Sequence, residues 1–205
     1  MKITILIYEK YTALDVVGPY EALSNISGAE IYFAGVQKGL YGDNKNFKLD
    51  VPYSIDDITE SDVLLIPGGF GIDAILNDKK IINWIKKIDT TTKFTTSVCS
   101  GALLLASTGL LEGRNVTTHW NRKEQLRKYN VNVVDERYVK DGKYITSAGV
   151  SAGIDMALYL ISLIQNENTA KFIQLGMEYD PQPPFDCGSP NKLPKELLEK
   201  MKPKK

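Results

Sequence analysis

The sequence predicts an α/β fold, an open, mostly parallel sheet with helices on both faces. Three observations carry this. Short, continuously apolar runs such as Ile3–Tyr8 and Val63–Ile66 read as strands buried on both faces. These runs alternate with amphipathic helical patterns, the order expected of a parallel sheet. At Lys93-Phe-Thr-Thr-Ser-Val98 a strand breaks at Cys99-Ser-Gly101 and runs straight into the helix formers Ala102-Leu-Leu-Leu-Ala106.

In order, Ile3 to Tyr8 is the first strand. Thr12 to Pro19 follows, then a helical pattern through Tyr20–Leu23. Asp15 has two readings. It caps that helix, or it faces a crevice with the cysteine, provided that the first strand lies beside the cysteine strand. Glu30 to Val36 is a second strand, and Leu40-Tyr41 and Phe47 to Val51 flank a small hairpin turn. Val63 to Ile66 ends in Pro67-Gly68-Gly69. Those glycines make a simple turn, or they let backbone amides approach a ligand without a Cβ in the way. Ile81, Ile82, Ile85 and Ile88 give the helix over 78–88 its apolar side.

After the elbow, Leu110–Gly113 closes the helix and 115–118 is extended, leading to His119-Trp120 and a polar helix over 122–129. Val131 to Val134 is a strand. Tyr138 to Ser147 folds on itself at Asp141-Gly142, and helices follow over 151–164 and 167–176. Residues 179–190 hold four prolines and a glycine, which makes them an extended arm. A short helix over 194–201 precedes a basic end. No repeat or linker divides the chain. The expectation is one domain over 1–205, with a core over about 1–176 and an arm over about 177–205.

Composition limits the function classes. The chain has 205 residues, with Lys+Arg and Asp+Glu both 25, and no basic excess points to nucleic acid or an anionic membrane. No stretch has transmembrane length, and the first apolar run is too short for a signal peptide. The two cysteines form no C-x-x-C pair, and a single histidine leaves little for a zinc site. A cytoplasmic protein with free thiols and no structural metal is expected.

Cys99 at a strand-to-helix break has the placement of a nucleophile elbow, with the helix N-terminus favouring thiolate over thiol. The competing reading is a buried structural cysteine. Asp15, Gly68-Gly69 and Cys99 each follow a buried strand at its carboxyl end, where such sheets bind ligands. That agreement favours a site.

The sequence resembles the ThiJ/PfpI superfamily, whose fold is similar to the flavodoxin-like, class I glutamine amidotransferase domain. The matching pieces are Leu14-Asp15-Val-Val-Gly18-Pro19-Tyr-Glu21, Leu65-Ile-Pro-Gly-Gly69, Ser97-Val-Cys99-Ser-Gly101-Ala and Leu110-Leu-Glu-Gly113. Thr117-Thr-His119-Trp120 and Thr146-Ser-Ala-Gly149-Val-Ser-Ala-Gly153-Ile-Asp155-Met-Ala157 complete the set, in family order. An Asp after the first strand, a Cys-Ser-Gly elbow and the tail Glu178-Tyr-Asp-Pro-Gln-Pro-Pro-Phe-Asp186 look like the isonitrile hydratase branch. That branch commonly carries Thr where Ser100 stands, so a methyl is lost here. The protease-like branch has His directly after the cysteine; here that position is Ser100.

The resemblance implies Cys99 as nucleophile, Asp15 as its acid/base partner, and an oxyanion-type pocket from the Gly69 and Ser100 amides, with Gly68 alongside. It implies isonitrile hydration to a formamide with no cofactor or metal, a small-molecule substrate and a homodimer. Glyoxalase-like or amidase-like cysteine chemistry and a redox or small-molecule sensor are the alternatives. His119 reads as a hydrogen-bonded structural residue or as a second catalytic group. Cys187 reads as an incidental thiol on an arm that could lid a neighbouring subunit's site.

Overall fold

The computed structural model describes residues 1–201; the basic end noted in the sequence lies outside them. The strands are β1 (Lys2–Leu6), β2 (Glu30–Gly35), β3 (Gly39–Gly42), β4 (Lys48–Val51), β5 (Tyr53–Ser54), β6 (Val63–Ile66) and β7 (Phe94–Val98). The remaining four are β8 (Asn115–Val116), β9 (Asn132–Val133), β10 (Tyr138–Asp141) and β11 (Tyr144–Ser147). The helices are α1 (Ala13–Ser24), α2 (Ile72–Ile75), α3 (Lys79–Asp89), α4 (Gly101–Ser107), α5 (Lys123–Leu126), α6 (Ala152–Ile164), α7 (Glu167–Gly176) and α8 (Lys195–Met201).

The main sheet has the order β10-β11-β7-β6-β1-β2-β5 and is parallel except for the β10–β11 hairpin. Its centre is the apolar runs read from the sequence, with Ile3, Ile5, Leu6 and Val63 to Ile66 fully buried. Helices α1, α6 and α7 pack together, and α2 to α5 pack around α4. The two sets cover the two faces of an α/β sandwich. Helix α3 buries Ile81, Trp84, Ile85 and Ile88 on one stripe, and the Asp78 side chain caps it by accepting from the Lys80 and Ile81 amides.

The structure alters two expectations that bear on the site. The first strand is not beside the cysteine strand, because β6 lies between them. The crevice still forms: strand order reverses between β1 and β6, and open sheets bind ligands outside the strand ends at such a point. The first helix also begins earlier than expected, at Ala13, and runs through Pro19. Asp15 therefore lies within it and does not cap it; Thr12 holds the cap position. Gly18 and Gly153 permit this by close packing of α1 on α6. An added Cβ at either would sit 3.0 Å from Ile154 Cγ1 or Pro19 Cγ, respectively.

Smaller differences follow local geometry. The polar helix over 122–129 is short, with single 3₁₀ turns on both sides of α5, and it ends at Asn130 in the left-handed region. Strands β8 and β9 pair with each other outside the main sheet. Strand β5 and helix α2, each of four residues or fewer, show no periodicity in the sequence.

Candidate active site

Cys99 sits on the turn between β7 and α4 with φ +57°, a left-handed conformation that costs a non-glycine residue free energy. The surroundings hold it there. Its N–H donates to the carbonyls of Ser147 (3.1 Å) and Ala148 (3.2 Å) at the end of β11. Its own carbonyl accepts from Thr118 Oγ1 at 2.7 Å. Gly101 has no alternative, since a Cβ there would lie 2.1 Å from the Ile66 carbonyl oxygen. This is the elbow the sequence predicted.

Asp15 is fully buried. Its Oδ2 accepts the Gly68 N–H at 3.0 Å, and Oδ1 has no hydrogen-bond partner. The carboxyl interacts directly with the Cys99 thiol. Burial, opposed by the Gly68 and Cys99 hydrogen bonds, pushes the Asp15 carboxyl up to about 7. Cys99 is raised as well, first by burial and then by the neighbouring Asp15 charge, while the Ser100 N–H and hydroxyl favour its thiolate. The expected low thiol pKa is thereby corrected. The N-terminus of a seven-residue helix does not outweigh a nearly buried sulfur beside a carboxylate. The Asp15 charge therefore disfavours the Cys99 thiolate, and the ionisation of one group bears on that of the other.

Gly68 and Gly69 form the bridge between these groups. A Cβ on Gly68 would lie 2.5 Å from Ser100 N, 2.7 Å from Ser100 Oγ and 2.8 Å from Asp15 Oδ2, so the backbone must pass bare. The Gly69 N–H donates to Ser100 Oγ at 3.0 Å. It is thus already paired, as is the Gly68 N–H, and the expected oxyanion pocket is reduced to the Ser100 amide beside the sulfur. The loop over 67–71 is also stapled to 8–12. Thr12 N–H donates to the Gly68 carbonyl (2.9 Å), Gly71 N–H to that of Lys10 (3.1 Å), and the Tyr8 hydroxyl to that of Pro67 (2.9 Å).

A cleft of about 120 Å³ opens over Cys99 and Ser100, walled by Thr12, Phe70, His119, Asn121, Arg122 and Val150. Its lining is mostly apolar. His119 is present in it. Burial lowers its pKa and keeps the imidazole neutral, with Nδ1 2.6 Å from Asn121 Oδ1 and Cδ2 against Gly149. The Arg122 guanidinium is paired with Asp73 at 3.0 Å, so its charge is answered within the protein. Cys187 is exposed on the arm.

The structure thus brings Asp15, Gly68, Gly69, Cys99, Ser100 and His119 together. Sequence reasoning missed Tyr8, Phe70, Asn121, Arg122 and Val150. Each adjoins or closely follows a segment already singled out: Tyr8 ends the first strand, Phe70 follows Gly69, Asn121 and Arg122 follow His119, and Val150 follows Gly149.

This sheet order, with a cysteine on a strained strand-to-helix elbow and a buried carboxyl against it, defines a class of α/β proteins built around one thiol. The DJ-1/PfpI family model matches residues 1–163, and the chain belongs to that family. It is 32% identical over 199 residues to an isonitrile hydratase of Pseudomonas putida, covering 97% of this chain and 87% of that one. It is 27% identical over 149 residues to deglycase PfpI of Pyrococcus furiosus, covering 72% and 89%. Among solved structures, a ThiJ/PfpI family protein from Pseudomonas syringae superposes with a TM-score of 0.94 at 31% identity, covering 98% of this chain and 84% of that one. No helix among the described residues is long and apolar enough to cross a membrane.

Proposed function

We propose that this protein is a cysteine-dependent enzyme that hydrates isonitriles to N-substituted formamides. The observation that carries this reading is the fully buried Asp15 carboxyl, held by the Gly68 N–H at 3.0 Å, beside the Cys99 thiol beneath a small, mostly apolar cleft. An isonitrile carbon needs both a soft nucleophile and a proton at the same atom, and this pair supplies both. The similarity to the Pseudomonas putida isonitrile hydratase over nearly the whole chain supports the choice of substrate.

Asp15 takes the thiol proton as Sγ bonds to the terminal carbon, then delivers that proton to the same carbon. The product is a thioimidate, R–N=CH–S–Cys99. Water then adds across the C=N bond: its oxygen goes to carbon, and a proton passes through Asp15 to nitrogen. Collapse breaks the C–S bond, the hydroxyl proton returns to sulfur through Asp15, and R–NH–CHO leaves. The unpartnered Oδ1 of Asp15 is the oxygen available to carry each proton. His119, neutral and tied to Asn121, serves as cleft wall. Formation of N-cyclohexylformamide from cyclohexyl isocyanide tests the reading. Wild type turns over, Cys99→Ala does not, and absence of product from wild type refutes it.

A further inference from the structure

Phe70 is the large apolar side chain that the fold leaves least explained. It is 70% exposed, yet it lines the cleft over Cys99. Its backbone has little freedom. Gly69 on one side bridges to Tyr11 and bonds Ser100 Oγ, with a φ of +155° that favours glycine. Gly71 on the other side bonds the Lys10 carbonyl, and a Cβ there would lie 1.9 Å from the Glu9 carbonyl oxygen. A fixed backbone therefore presents an aromatic ring at the cleft mouth, and only the side-chain torsions remain free to adjust.

The cleft is also too small for a whole substrate of moderate size. At about 120 Å³ it is smaller than the roughly 150 Å³ apolar cavity that accommodates benzene. An isonitrile head is linear. With its terminal carbon at Cys99 Sγ, a ring-sized R group exceeds the space left in the cleft and meets the residues that wall it, Phe70 among them. The charged wall residue there, Arg122, is already paired with Asp73, so the mouth offers no open cation to an anionic group.

We infer that Phe70 is the specificity-determining residue of this site and selects substrates whose R group is a ring, alicyclic or aromatic, packed against its exposed face. This deepens the proposed hydration and rests on that reading for the reaction, but not for the binding preference. Burying an aromatic face against a ring corresponds to about a tenfold preference over a methyl group.

The test uses two readouts on Phe70→Ala and Phe70→Tyr, both at an exposed position. The first is the ratio of kcat/KM for cyclohexyl isocyanide to that for methyl isocyanide. The second is the ratio of Cys99 alkylation rates by 2-iodo-N-phenylacetamide and iodoacetamide, with Cys187 replaced by serine. Phe70→Ala is expected to lower both ratios about tenfold, through KM in the first, and Phe70→Tyr to restore them. If wild type hydrates no isonitrile but the alkylation ratio still falls, the hydratase reading fails and the ring preference stands. Unchanged ratios in Phe70→Ala overturn the role given to Phe70.

Discussion

The Gly68 N–H donates to Oδ2 of Asp15 at 3.0 Å, and this bond ties the first helix to the strand that neighbours the cysteine elbow. It fixes one oxygen of a fully buried carboxyl and leaves the other without a hydrogen-bond partner. The same glycine passes between Asp15 Oδ2 and Ser100 with no room for a Cβ. Asp15, the glycine loop and the Cys99–Ser100 elbow are thus one packed unit.

The first consequence is a pH-dependent stability. Asp15 is raised from an ordinary value of 3.8 to about 7, with burial as the main cause. The folded state then binds a proton that the unfolded state releases. The stability this contributes is fully present below about pH 4 and is lost as pH rises through about 7, on the order of 4 kcal/mol in all. Asp15→Asn removes that titration. The melting temperature of the variant minus that of wild type is expected to increase from pH 4.5 to pH 8. A difference independent of pH would show that Asp15 ionises normally in the fold.

Ser100 Oγ accepts the Gly69 N–H at 3.0 Å and donates to the Gly69 carbonyl at 3.3 Å, and the same hydroxyl favours the Cys99 thiolate. Ser100→Ala leaves a buried N–H unpaired, a cost of roughly 1–3 kcal/mol. It also removes a group that favours the thiolate. Chemical denaturation is expected to show the loss of stability, and Cys99 alkylation at fixed pH should slow in the same variant. Full stability in Ser100→Ala would mean that the Gly69 amide finds another partner.

Much of this was legible in the sequence, for identifiable reasons. Buried strands such as Val63–Ile66 announce themselves as apolar runs, and Cys99-Ser-Gly101 marks a break because Gly101 must pass the Ile66 carbonyl. Asp15 was legible as a candidate but not in its place. Gly18-Pro19 reads locally as a break, whereas packing of α1 on α6 through Gly18 and Gly153 holds the helix across it. The order β7-β6-β1 is a long-range property that no local pattern encodes. The Cys99 thiol followed the same rule: the local helix terminus suggested an acidic thiol, and burial beside Asp15 reversed the direction.

Assembly is a separate matter from chemistry. Phe172 and Leu175 on α7 and Phe185 on the arm are exposed, and the arm over 180–188 is exposed throughout. We propose a homodimer that covers these side chains. Sedimentation at micromolar concentration is expected to give twice the 22.9 kDa chain mass, and Phe172→Asp with Leu175→Asp to give the monomer. A wild-type monomer would leave these residues as ordinary surface.

The sharpest prediction separates thiol acidity from catalysis at one position. In wild type, kcat/KM for isonitrile hydration is expected to rise with pH through an apparent value near 7. That is where the Asp15–Cys99 pair loses its first proton and keeps the one that hydration uses. In Asp15→Asn the carboxylate that holds the Cys99 thiol up is gone, so the thiol becomes easier to ionise. Alkylation of Cys99 by iodoacetamide at pH 8 should therefore be faster than in wild type. Hydration needs a proton returned to carbon, which Asn cannot supply, and should fall about a hundredfold or more while the limb near pH 7 disappears. A more reactive thiol in a less active enzyme is the signature of Asp15 as proton carrier. Parallel loss of alkylation and hydration would mean that Asp15 only positions the sulfur.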